Sequence, residues 1–87
     1  MLIRCCICDD TPEDIRMIRR YADAFSREHP EYPLHIETFE NAYDLLEALR
    51  KRGGYDLYLL DVVMAHMNGL DIARKIRERG DAAEILF

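Results

Sequence analysis

Four short apolar runs separated by three stretches of helical periodicity constrain the fold of this chain more than any other feature. Leu2-Ile3-Arg4-Cys5-Cys6-Ile7-Cys8 and Leu57-Tyr58-Leu59-Leu60 are apolar and short enough to be strands buried within a parallel sheet. Leu34-His35-Ile36-Glu37-Thr38-Phe39 alternates at period two, which predicts a strand at the sheet edge with one wetter side. Ala83-Glu84-Ile85-Leu86-Phe87 begins a fourth strand, expected as a buried element. Such β-α-β-α-β-α-β alternation predicts an α/β domain: a parallel sheet with right-handed crossovers and helices on both faces.

The intervening stretches carry start and stop signals. Thr11 is placed as an N-cap, Pro12 at the first helical position and Asp14 in the capping-box place, with Ile15, Ile18, Ala22 and Phe25 on one face. His29-Pro30 predicts the end of that helix, because proline disfavours helical geometry in the residue before it. Asn41 caps a second helix with the stripe Ala42, Leu45, Leu46 and Leu49. Its end carries Arg50-Lys51-Arg52, a complement to the helix dipole rather than a nucleic-acid patch, before Gly53-Gly54. Residues 62–67 read as a loop, and Asn68-Gly69-Leu70-Asp71 opens a third helix with Leu70, Ala73 and Ile76 inward, ended by Gly80.

At 87 residues the chain is one domain with a modest core. Its hydrophobic fraction of 49% and charged fraction of 33% are those of a folded chain, not a disordered one. No apolar stretch approaches the roughly 20 residues of a spanning helix, and Met1-Leu2-Ile3-Arg4 opens into a strand pattern without a secretory signal, so a cytoplasmic location with no membrane is expected. A net charge of −5 argues against direct nucleic-acid binding by this segment. Cys5, Cys6 and Cys8 alternate along a strand and so point to opposite faces; they read as core thiols in a reducing compartment, not as a metal set. His29 and His35 read as structural or exposed, and His66 as a solvated loop histidine.

Asp9 and Asp10 end the first apolar run and Asp61 ends the third, so all three acids are expected at one edge of the sheet. Ligands of open α/β sheets bind at the carboxyl ends of the strands. Clustered carboxylates repel one another unless a cation joins them, and such hard oxygen donors suit Mg²⁺, which also accepts a phosphate oxygen.

The Asp9-Asp10 pair, Asp61, and Met64-Ala65-His66-Met67-Asn68-Gly69-Leu70 together resemble the receiver domain of bacterial two-component response regulators, the last segment being similar to that family's M-P-x-M-[DN]-G-L. The resemblance covers the whole chain, residues 1–87. It implies a flavodoxin-like doubly wound sheet of order 2-1-3-4, with the fifth strand and last helices absent. It implies that Asp61 accepts a phosphoryl group from a sensor histidine kinase, and that Asp9, Asp10, Asp61 and the backbone carbonyl of Val63 hold Mg²⁺. Cys8-Asp9-Asp10-Thr11-Pro12-Glu13-Asp14 and Tyr55-Asp56-Leu57-Tyr58-Leu59-Leu60-Asp61 resemble receivers joined to a LytTR-type DNA-binding output domain. The chain is then a signalling phosphoacceptor rather than an enzyme.

Two departures stand out. Ala65 takes the place of the usual proline, which is expected to loosen the loop, and the family's switch Thr or Ser and its Lys have no counterpart in this chain. A missing fifth strand would expose the fourth, inviting self-association through it. Gly69 is assigned only a permissive helix-start backbone. Two readings from other classes stay open: a Mg²⁺-dependent phosphohydrolase of the haloacid-dehalogenase type, and a pseudo-receiver acting as an interaction surface. The first is disfavoured because its nucleophile belongs to a D-x-D motif on the first strand.

Overall fold

The computed structural model describes residues 2–87; Met1, counted above in the opening strand pattern, lies outside the described residues. The elements are β1 (Ile3–Cys8), α1 (Pro12–Glu28), β2 (Leu34–Phe39), α2 (Ala42–Arg52), β3 (Leu57–Leu60), α3 (Gly69–Glu78) and β4 (Glu84–Leu86). All strand pairings are parallel, as the alternation predicts, with β2 at an edge, and the order β2-β1-β3-β4 is the one the family resemblance implies. Register sets the geometry of the acidic edge: Cys8 pairs with Leu60, so Asp9 and Asp61 follow at the same level.

Alternation along β1 divides the core. Cys6 and Cys8 join Leu45, Leu49, Tyr58, Ile72 and Ile76 beneath α2 and α3, while Cys5 and Ile7 face Ile15 of α1. All three thiols are buried, as expected, and burial holds each above its ordinary pKa. The second layer is thinner. Only Ile15 of α1 is buried, and beside it an apolar groove of about 390 Å³ runs between the helix and the sheet, lined among others by Tyr21, Phe25, Leu57 and Leu59.

Several expectations are corrected. Leu70 points outward at 51% exposure, because α3 begins at Gly69 and turns Ile72 and Ile76, one helical turn apart, to the core. Phe25 is also exposed, lining the open groove between α1 and the sheet. Thr11 occupies the N-cap position without a side-chain bond; its carbonyl accepts the Asp14 and Ile15 amides instead, and no capping box forms. β4 is not a buried element: Ile85 alone is half-buried, and Leu86 and Phe87 are exposed.

The amino end of the sheet carries a polar network that composition alone does not reveal. Tyr58 is fully buried with its hydroxyl accepting the Tyr55 N–H at 3.0 Å and reaching Asp81 at 3.4 Å. The Tyr55 hydroxyl donates to Glu37, whose carboxylate also meets His35 at 3.2 Å and Arg52 at 3.4 Å.

Candidate functional site

Backbone continuity places the acids. The Asp61 N–H donates to the Cys8 carbonyl at 3.0 Å and the Asp9 N–H to the Phe39 carbonyl at 3.1 Å, so both residues extend the strand ladders by one step before their loops turn away. Asp10 follows at the start of the β1–α1 loop. One oxygen from each of Asp9, Asp10 and Asp61 can be chosen so that all lie within 4.8 Å of one another, which joins the acids the sequence singles out. The burial is graded: Asp9 is buried, Asp61 half-buried and Asp10 exposed.

Each carboxylate is tethered by one backbone amide. Oδ1 of Asp9 accepts from the Thr11 N–H at 2.9 Å, Oδ1 of Asp61 from the Val63 N–H at 3.2 Å, and Oδ2 of Asp10 from the Ala65 N–H at 3.3 Å. A carboxylate has two oxygens, so every tether leaves one for a ligand. The first two bonds are local; the third crosses from the β3–α3 loop to the β1–α1 loop.

Burial holds the Asp9 carboxyl above its ordinary range, and the charges of Asp61, Asp14 and Asp10 add to this, against the Thr11 N–H, which lowers it. Three hard, anionic oxygens converging at solvent fit a divalent cation with a high preference for oxygen, such as Mg²⁺. A cleft of about 300 Å³, lined among others by Asp9, Asp61, Leu59 and Leu86, opens beside them. Cys8 lies directly below: its thiol approaches the Asn41 carbonyl at 3.6 Å and Met64 Sδ at 4.0 Å. Burial first, then the three acids, push it up to about 12, so it stays a neutral packing group.

The β3–α3 loop contains a hydrogen-bonded turn of its own. His66 has φ of 69° and the Met67 N–H returns to the Ala65 carbonyl at 2.8 Å, the hydrogen bond of a γ-turn in its positive-φ form. His66 is exposed as expected, with its ring 6.4 Å from that of Tyr43. Met64 and Met67 pack against the core, and the Asn68 side chain caps α3 by accepting the Asp71 N–H at 2.9 Å. Two site features escape residue-type reasoning. The Ala65 tether is a backbone donor, invisible in side-chain chemistry except as the absence of proline. Gly69 has no room for a side chain, since a Cβ there would meet the Asp61–Val62 backbone, and its N–H donates to the Val62 carbonyl at 3.0 Å.

The family model described as "Response regulator receiver domain" matches residues 5–87. Response regulator ArlR of Staphylococcus epidermidis is 36% identical over 67 residues, which are 77% of this chain and 29% of that protein. Among solved structures, response regulator TrrA of Thermotoga maritima, in complex with Mg²⁺-BeF, superposes with a TM-score of 0.74 at 29% identity, covering 95% of this chain and 65% of that one. TrrA in complex with histidine kinase ThkA gives 0.69 at 25% identity, with the same coverage of 95% and 65%. The chain thus spans less than a third of that curated relative and about two thirds of these solved chains.

Proposed function

Because the chain belongs to the response regulator receiver family, we propose that it is a phosphorylation-controlled input module in which Asp61 accepts a phosphoryl group from a histidine kinase. The convergence of Asp9, Asp10 and Asp61 at the carboxyl edge of the sheet carries this reading. Asp61 is the acid flanked by both the cleft and the β3–α3 loop, and the Val63 tether on Oδ1 leaves Oδ2 to attack phosphorus. The new bond is an acyl phosphate; the phosphorus–nitrogen bond to the donor imidazole breaks and that nitrogen takes a proton. An acyl phosphate is labile, which suits a signal that must decay.

Asp9 and Asp10, with Asp61 and the backbone carbonyl of Val63, are the groups we assign to Mg²⁺. When bound, the ion neutralises carboxylate and phosphoryl charge together. Asp9 contributes a fixed, buried charge, and Asp10 an exposed one that solvent reaches. TrrA, crystallised with Mg²⁺-BeF and with a kinase, supports a like assignment of cofactor and partner. No described helix is long and apolar enough to cross a membrane, and we place the module in the cytoplasm, signalling to an output domain of transcriptional, LytTR-type character.

Labelling with acetyl phosphate or phosphoramidate, read by intact mass, tests this. The expected result is a phosphoryl-sized gain that needs both Mg²⁺ and Asp61 and vanishes in Asp61→Asn. Catalytic release of phosphate from small esters would instead favour the phosphohydrolase, and no gain under any condition would favour an interaction module.

A further inference from the structure

The bond between the Ala65 N–H and Oδ2 of Asp10 is the one tether at the site that joins its two loops, spanning 55 residues of sequence. From it we infer that Ala65 is a positioning residue for Asp10, acting through its backbone N–H to hold the exposed carboxylate in a cation-ready orientation. This rests on the receiver reading above.

Asp10 needs such a hold more than its neighbours do. Asp9 is buried and fixed locally by Thr11, and Asp61 is fixed at the end of its strand by the ladder bond to Cys8 and by Val63. Asp10 is exposed, and two like charges stand nearby to push its side chain toward water. One N–H directed at a single oxygen opposes that swing and leaves the other oxygen to a ligand. Such outer-shell donors orient metal-binding carboxylates.

The donor is itself held. The Ala65 carbonyl accepts the Met67 N–H at 2.8 Å in the γ-turn centred on His66, so the peptide on either side of Ala65 is engaged. Proline at position 65 could keep the turn but has no N–H to give. The alanine expected only to loosen the loop therefore also supplies a tie between loops that proline cannot make. Two consequences separate this role from simple loop stiffness. Glycine, which keeps the N–H while adding freedom, should preserve the function, whereas proline, which stiffens the chain but deletes the donor, should lose it.

The test is a Mg²⁺ titration of the ¹⁵N-labelled chain followed by amide shifts, with Ala65→Pro, Ala65→Gly and Asp10→Asn beside it. Outer-shell partners are worth about 10- to 100-fold in metal affinity, and for an exposed bond of 3.3 Å we expect the low end, about a tenfold higher half-saturating Mg²⁺ in Ala65→Pro. Ala65→Gly should stay within about twofold of the unsubstituted chain, and the Ala65 amide should move in Asp10→Asn before any Mg²⁺ is added. Equal or tighter binding by Ala65→Pro, or equal losses in the proline and glycine variants, overturns the role of the N–H. If Ala65→Pro does not fold, the metal-free Ala65 shift decides: no movement in Asp10→Asn overturns the proposal. Failure of the receiver reading looks different, since the unsubstituted chain would then show no saturable response to Mg²⁺ and both conclusions would fall.

Discussion

A Cβ on Gly69 would overlap the backbone oxygen of Asp61 and stand 2.9 Å from its carbonyl carbon and 3.2 Å from Val62 Cα. These are backbone atoms, which no rotamer change can move aside. The start of α3 is thereby docked onto the strand end that presents Asp61. Gly69→Ala must push the two segments apart, with an overpacking cost of about 2 kcal/mol. In a domain of this size that lowers Tm by about 10 °C. Urea and thermal unfolding check the cost, and slower acetyl phosphate labelling at a temperature where the variant is folded checks the displacement of Asp61. An unchanged Tm would falsify the close docking.

Asp9 should be a stability liability when no cation is bound. Its native pKa lies above the unfolded value, so the native state binds its proton more tightly. Stability from this group is therefore present at low pH and lost as pH rises through the raised value. Asp9→Asn keeps an oxygen for the Thr11 N–H and removes the charge. In metal-free buffer at pH 7 the variant should melt higher than the unsubstituted chain, and the advantage should shrink as the pH falls into the ordinary carboxylate range. Mg²⁺ should reverse the order, because the unsubstituted chain alone gains the full linkage stabilisation. Differential scanning fluorimetry across pH, with EDTA or Mg²⁺, reads all three.

Glu37 has the opposite sign. The Tyr55 hydroxyl foremost, then His35 and Arg52, hold its carboxyl below the ordinary value of 4.5. Its contribution is present above that value and is lost as pH falls through the lower native one. Glu37→Gln should cost about 1 kcal/mol at pH 7, in line with hydrogen bonds to a charged partner at a partly exposed site. The gap between the two chains should close in acid. A gap that persists below pH 3 would assign the loss to shape rather than to charge.

Much of this molecule is legible in the sequence where side-chain identity decides the outcome. The parallel α/β alternation and the edge place of β2 follow from which runs are apolar on both faces, the full strand order from the family resemblance, and the convergence of Asp9, Asp10 and Asp61 from their common place after strands. The thiols at positions 5, 6 and 8 fall where alternation puts them. What is not legible depends on backbone geometry or on distant partners. The reciprocal half of the capping box fails because Asp9, two residues earlier, already takes the Thr11 N–H that the Asp14 carboxylate would accept. Leu70 is outward because the register of α3 is set by the docking of Gly69, one residue before it. The buried Tyr58 hydroxyl is satisfied by Tyr55 and Asp81, one on the same strand approach and one 23 residues away, a pairing no local pattern announces.

The outer edge of β4 is unpaired among the described residues. Its inner edge pairs with β3 from Leu57 with Glu84 to Leu59 with Leu86, and no further strand follows it among the described residues. Leu86 is 54% exposed and Phe87 62%, and Leu86 borders the cleft beside Asp9. Unpaired strand edges flanked by apolar side chains pair with other chains unless charge or proline blunts them. Sedimentation velocity of the 87-residue chain should therefore show a weight-average coefficient that rises with concentration. Leu86→Lys places a charge on that edge whose long stem can reach solvent, and should return the chain toward the monomer. Salt separates the cause from general acidity: repulsion between chains of net charge −5 weakens as salt is added, so association through the edge should strengthen in the unsubstituted chain. A sedimentation coefficient that matches a monomer at every concentration and salt would mean that the edge is left unused.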